Sequence, residues 1–478
     1  MAIIKIREKF ILIFFLLAGF FLRYYAAVNV PENHDEYTED FPVARQISFN
    51  LQNLNLPLLD NSTDDASPMA FRYLIKTGWL IFGDSLLGAR LPFIFIGTCT
   101  ILLLYVLTKI TFGVKTALIA SGLLSFSQYH IAISRLADYN SIYIFFVICS
   151  LICFYKAVTT DSNKWFIING LVVSAGFWFK ESMSFLIPIY LIFFSLYPEY
   201  RKFIKSRLFW FSNLLIFSLI SPLILANIIF SSPRLSYILE SATFRISLNA
   251  INFYLGELFL SVLKLFPGFS CVIFTNLESE YPLLNLFLGI LMLIAVIKFF
   301  RTKEMFARLL VVCFLSNFVL FSFISGVNEA CKSSYWSLEF PDWSILGFVP
   351  GIILSAHLLN DFIERSRKSG IVLFFVLLFV MFIRSYDIAR YPLHAFPPVR
   401  DLYVRKLLGN YGHSWLEDAG IEETKEIAKD IYQRIFNLPL ATSQDKKMAA
   451  VKLVQIFSEE GRIKERKLYL DYIEGLEK

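Results

Sequence analysis

Residues 10–40 read FILIFFLLAGFFLRYYAAVNVPENHDEYTED. From Phe10 to Val28 the run is apolar apart from Arg23 and its two tyrosine neighbours. At 1.5 Å rise per residue such a run is long enough for a hydrocarbon core of about 30 Å. Five carboxylates then crowd into residues 32–40: Glu32, Asp35, Glu36, Glu39 and Asp40. A membrane span with acids packed at its mouth poses two questions: how the rest of the chain crosses the bilayer, and what the acids face.

The first question is answered by repetition. The chain has 478 residues, is 56% hydrophobic and holds 51 Phe, with a mean hydropathy of +0.58. Apolar runs recur along it, and only helices or closed barrels satisfy the backbone inside lipid. The pattern predicts an all-α, polytopic transmembrane bundle of about eleven spans. These fall near 10–28, 86–108, 114–133, 139–157, 163–179, 182–197, 208–230, 284–300, 306–325, 344–361 and 370–386. The N-terminal MAIIKIREKF reads as the basic flank of a retained first span, because no small-residue cleavage site follows the run cleanly.

Orientation follows from Lys and Arg near span ends. With the N-terminus in the cytoplasm, the inside connections carry Lys109 and Lys115, Lys156 and Lys164, EYRKFIKSR at 199–207, Lys298 with Arg301 and Lys303, and ERSRK at 364–368. Each is basic, which accounts for the net charge of +6 without a nucleic-acid partner. The outside then receives residues 29–85, 231–283, 326–343 and a C-terminal region. Scattered apolar residues in FPVARQISFNLQNLNLPLL (41–59) suggest interfacial helices in the first outer loop. Residues 1–386 thus form the membrane domain. Residues 387–478 form a small, soluble, helical region on the outer face, ending in a helical hairpin broken at Gly461.

No nucleotide-binding glycine motif, HExxH or GxSxG is present. The six cysteines have no metal-ligand spacing, and a Cys271–Cys331 disulfide on the outside is left open. The informative residues are the charges at outer span ends. They include the acids at 32–40, SQYHIAISRLADYNS at 127–141, Lys180 and Glu181 in FWFKESMSF, Arg245 in the second loop and Lys332 in the third. Such a site suits a substrate half in lipid and half in water. A sugar on a polyprenyl phosphate has a leaving group that gains charge as it departs and needs cations. A hydroxyl acceptor needs a carboxylate to take its proton. One acid and one cationic patch on opposite sides of the sugar carbon suffice for an inverting displacement.

These residues carry a resemblance. HDEYTED after the first span resembles the Asp-Glu motif of the GT-C glycosyltransferases. Residues 67–146 resemble the family 39, protein O-mannosyltransferase-like branch in order: Ser67-Pro68, Phe82-Gly83, Arg90-Leu91-Pro92 and Ser134-Arg135-Leu136-Ala137. AGFWFKESMSFLIPIYL at 175–191 is similar to the family's Gly-x-x-x-Lys followed by a proline-bearing span. The set is also similar to lipid A aminoarabinose transferases. The resemblance implies a membrane-embedded glycosyltransferase with a dolichyl- or undecaprenyl-phosphate-linked sugar donor and a lipid, glycan or protein acceptor. By carry-over Asp35 and Glu36 are the catalytic pair, Asp35 as base and acceptor contact. Glu36 would support it or, with Asp35, hold a divalent metal if one is used. Lys180, Arg135, Lys332 and Arg245 are donor-phosphate contacts, and Asp138, Glu181, His34 and Tyr37 line the cavity or acceptor side. The inserted domain of eukaryotic protein mannosyltransferases is missing, which points to a bacterial or archaeal plasma membrane.

Plainer readings stand beside these. Glu32, Glu39 and Asp40 read as surroundings of the Asp-Glu pair. Arg135 also fits an interfacial snorkelling arginine, His130 a capped interfacial residue and His357 a polar packing residue. A ligase moving a whole lipid-linked glycan, or a secondary transporter or flippase, is the alternative architecture for the same composition.

Overall fold

The fold was obtained as a computed structural model, which describes residues 2–29, 36, 40–50, 70–229, 282–323, 345–390, 429, 432–433, 436 and 443–476. Its helices follow the apolar runs. α1 is Ala2–Asn29, α2 Phe41–Gln46, α3 Ala70–Phe82, α4 Leu86–Phe112, α5 Val114–Ser125 and α6 Gln128–Ser134. α7 is Tyr139–Thr160, α8 Asn163–Phe177, α9 Leu186–Leu196 and α10 Arg207–Ile229. α11 is Pro282–Phe300, α12 Met305–Phe323, α13 Ile345–Arg365 and α14 Arg367–Arg390. α2 and α3 lie in the first long connection. A separate hairpin, α15 (Ser443–Glu459) and α16 (Ile463–Leu476), closes on its own core of Leu453, Phe457 and Tyr469.

Among the described residues, α1, α4, α7 and α13 each hold a stretch long and apolar enough to cross a membrane. The protein is an integral, multi-pass membrane protein of helical-bundle type. Phe10, Phe14, Leu17 and Phe21 stand exposed on α1 at spacings of four, three and four. Phe375 and Phe379 do the same on α14. Large apolar side chains along one helical stripe are costly in water and suited to lipid.

Inside, α4 packs on α1, α3, α5 and α7, and α7 packs on α8. α13 is wedged among α5, α11, α12 and α14, while α14 returns to α1. One interior polar cluster is matched: Ser150 Oγ donates to Asn169 Oδ1 at 2.7 Å and lies 2.8 Å from the Tyr190 hydroxyl, tying α7, α8 and α9 together.

Two expected spans are not continuous helices. The one expected over 114–133 is broken at Phe126 and Ser127 into α5 and α6. The one expected over 182–197 begins as a 3₁₀ turn, Glu181–Phe185, before α9. At the other end of α5, Gly113 (φ +86°) makes the sharp reversal out of α4, a backbone conformation that side-chain-bearing residues rarely adopt.

Alternation of the helices gives the bundle two ends. One gathers Asn29, Glu36, Arg90, Arg135–Asn140 and Lys180. The other gathers exposed ion pairs, including Lys115–Glu364 at 3.1 Å and Lys202–Asp161 at 2.8 Å. His357 lies there too, stacked between Phe112 and Phe299 with centroids 4.4 and 4.5 Å away, its Nε2 3.2 Å from Glu304.

Candidate active site

Ser85 starts the construction. Its hydroxyl accepts from the Gly88 N–H at 3.0 Å and caps α4, while its carbonyl accepts from the Trp79 indole at 3.1 Å. The α3–α4 corner is thereby fixed, and Arg90 emerges just inside α4. Arg90 is fully buried. Its Nε and Nη2 donate to the two oxygens of Glu36 at 2.9 and 2.5 Å, and its Nη1 donates to the Ala27 carbonyl at 2.9 Å. Glu36 Oε1 also accepts from the Ala137 amide at 2.7 Å. The Glu36–Arg90 pair, its glutamate 1% exposed, thus joins the end of α1, the start of α4 and the turn between α6 and α7. A two-pronged guanidinium–carboxylate bond fixes direction as well as distance.

Four residues on, the pattern repeats. Asp40 Oδ1 accepts from Arg72 Nε at 3.1 Å, with both side chains buried. Phe41 packs edge-on against Trp79, centroids 5.4 Å apart. The acidic loop is therefore held at Glu36 by α4 and at Asp40 by α3. Asp40, read from the sequence as mere surroundings, is a buried structural acid.

The facing wall is the 135–140 segment and Lys180. Arg135 and Asp138, whose spacing in the sequence predicts one helical turn between them, do not share a helix. Arg135 ends α6, residues 135–137 turn, and Asp138 caps α7 by accepting from the Asn140 N–H at 2.7 Å. Its second oxygen accepts from the Asn140 side-chain amide at 3.3 Å, which turns the Asn140 carbonyl toward Lys180. Lys180 Nζ donates to that carbonyl at 3.0 Å and sits 4.1 Å from the Tyr139 ring centroid. Lys180 is 9% exposed, its ammonium cradled by an amide oxygen and an aromatic face. Glu181 follows at the first position of the 3₁₀ turn.

The structure thus brings Glu36, Arg135, Asp138 and Lys180 to one end of the bundle, on three different connections. Asp35, His34, Tyr37, Arg245 and Lys332 lie outside the described residues, as do Cys271 and Cys331. Among the described residues no cluster of three His, Cys, Asp or Glu side chains is arranged to hold a metal ion. Arg90, Asn140 and Tyr139 were missed as contributors. Arg90 carried a readable signal, because an arginine inside a span needs an acid, and the acids of that end lie at 32–40.

Comparison with known proteins bears on the fold and on residues 65–225. Residues 65–225 match the family model for dolichyl-phosphate-mannose-protein mannosyltransferases. "Putative mannosyltransferase YkcB" of Bacillus subtilis is 28% identical over 222 residues, covering 46% of this chain and 31% of that protein. The chain therefore spans about a third of the length of that curated relative. ArnT from Cupriavidus metallidurans, solved without ligand and bound to undecaprenyl phosphate, shares the fold. TM-scores are 0.51 in both cases, at 12% and 13% identity, over 96% of this chain and 74% and 75% of ArnT. In fold the chain resembles the GT-C membrane proteins, and in residues 65–225 it is similar to the dolichyl-phosphate-mannose-protein mannosyltransferases.

Proposed function

We propose that the protein transfers a monosaccharide from a polyprenyl-phosphate donor to a hydroxyl acceptor, with inversion, at the extracytoplasmic surface of the membrane. The observation that carries this reading is the Glu36 clamp. It ties the acid loop to the 135–140 turn, whose Asn140 in turn holds Lys180, so an acid-bearing loop and a sheltered ammonium belong to one hydrogen-bonded unit.

Asp35 is the base. It is the covalent neighbour of the clamped Glu36 in the sequence. It takes the acceptor proton as the oxygen attacks the anomeric carbon. The donor phosphate leaves toward Lys180 and Arg135, where an ammonium shielded from water acts strongly on developing negative charge. Glu36 is a positioning residue: with Arg90 across both its oxygens, it is poorly set to take a proton or to hold a divalent cation. Lipid-facing helices alongside give the polyprenyl chain its medium. That ArnT was solved with undecaprenyl phosphate supports the choice of donor class.

Exchange of Asp35 for Asn tests the role of the base. With the protein in lipid nanodiscs and a panel of radiolabelled polyprenyl-phosphate sugars, D35N should fold as wild type does and lose transfer by at least about a hundredfold. Wild-type turnover in D35N would overturn the assignment.

A further inference from the structure

Breaking a helix inside a membrane bundle frees carbonyls at the end of one piece and N–H groups at the start of the next, and lipid satisfies neither. At the α5–α6 break these groups find partners from three directions. Ser127 Oγ accepts from the His130 N–H at 3.3 Å. Ser385 Oγ, from α14, donates to the Phe126 carbonyl at 2.7 Å. The third partner is Arg23 of α1, the lone charge of the first span.

Arg23 is fully buried, and among the described residues it has no carboxylate partner. Its Nη1 donates to the Gly19 carbonyl at 2.7 Å and to the Ser125 carbonyl at 3.4 Å. Its Nη2 donates to the Leu124 carbonyl at 3.4 Å and meets His130 Nδ1 at 2.5 Å. Arginine has no acceptor, so Nδ1 is the acceptor and the ring proton sits on Nε2. The cation also lies at the carbonyl-rich end of α5, where the helix dipole favours positive charge. Gly97 of α4 lets Ser134 close in, since a Cβ at 97 would stand 2.6 Å from the Ser134 Cβ. α6 is thus gripped at His130 by α1 and at Ser134 by α4, and the turn just beyond it is gripped at Ala137 by Glu36.

From this we infer that Arg23 and His130 are positioning residues for transfer: their bond sets the pose of α6 and so delivers Arg135, Asp138 and the Ala137 amide to the site. Neither touches substrate. The inference rests on the proposed transfer reaction for its turnover readout, while its structural readout does not.

Arg23→Lys keeps the charge but loses the fork that spans three carbonyls and a ring nitrogen. His130→Asn keeps an acceptor where Nδ1 stood, and His130→Leu removes it. Hydrogen exchange by mass spectrometry on each variant in nanodiscs should show faster exchange over residues 126–138 in Arg23→Lys and His130→Leu. Peptides within 141–158 should be unchanged, and His130→Asn should match wild type. In turnover, Arg23→Lys and His130→Leu should lose about 10- to 100-fold in kcat, as expected of about 1 Å of misplacement. Their donor KM should stay within about twofold, and His130→Asn should keep most of the rate. Unaltered exchange over 126–138 in both Arg23→Lys and His130→Leu overturns the inference, as does a His130→Asn indistinguishable from His130→Leu. A wild-type protein that turns over no lipid-linked sugar refutes the proposed function instead and leaves the exchange test standing. If Arg23→Lys fails to fold, the two His130 variants decide.

Discussion

Removing one partner of the Glu36–Arg90 pair should be severe, and removing both should cost little more than removing one. Glu36→Gln leaves one oxygen for the Ala137 amide but turns an NH2 group toward the Arg90 guanidinium, donor against donor. The two carboxylate–guanidinium bonds at 2.9 and 2.5 Å lose their charge assistance, and a cation with no exposure is left without its counter-charge. Breaking a buried pair in this way costs about 3–5 kcal/mol. Against a total stability on the order of 5–15 kcal/mol, that lowers the unfolding midpoint by roughly 3–5 °C in a chain of 478 residues. Arg90→Met should do the same by stranding the carboxylate, and it also frees the Ala27 carbonyl. In the double variant Glu36→Gln/Arg90→Met no uncompensated charge remains, so the loss should fall to about half of the sum. Thermal unfolding of all four proteins in one detergent gives the cycle. A coupling of about 2 kcal/mol or more is expected, and additivity within about 0.5 kcal/mol refutes the clamp.

Two further outcomes follow from the same geometry. Gly97→Ala should push α4 off α6, because its methyl would stand 2.6 Å from the Ser134 Cβ; a loss of about 1–3 kcal/mol is expected, and Ser134→Gly in the same chain should restore most of it. Lys180→Met should raise the donor KM at least about tenfold while leaving acceptor KM alone, read from initial rates at varied donor, since its ammonium is the proposed phosphate contact.

The helices were legible because lipid imposes length and apolarity on any span, and α4, α7, α8 and α10 begin within a residue or so of the apolar runs. The break between α5 and α6 was not legible. LIASGLLSFSQYHIAIS reads as one apolar run, and the groups that make a break tolerable, Arg23 and Ser385, come from helices remote in sequence. The acid cluster was visible at once, but its division of labour was not. Asp40 and Glu36 look alike in sequence; only the fold shows that each meets its own arginine, Arg72 or Arg90. Lys180 was visible as a charge at an outer span end. The Asn140 carbonyl and Tyr139 ring that hold it are ordinary residues that acquire a role only when α7 and the 3₁₀ turn meet.

The central claim is tested most directly by release of polyprenyl phosphate. Purified wild-type protein in nanodiscs, given each radiolabelled polyprenyl-phosphate monosaccharide of the panel with a membrane-lipid and glycan acceptor extract, should convert at least one donor to free polyprenyl phosphate. An equal amount of sugar should appear on acceptor with inverted anomeric configuration. Retention of configuration, or no donor consumed by protein whose unfolding midpoint shows it to be folded, would contradict the account.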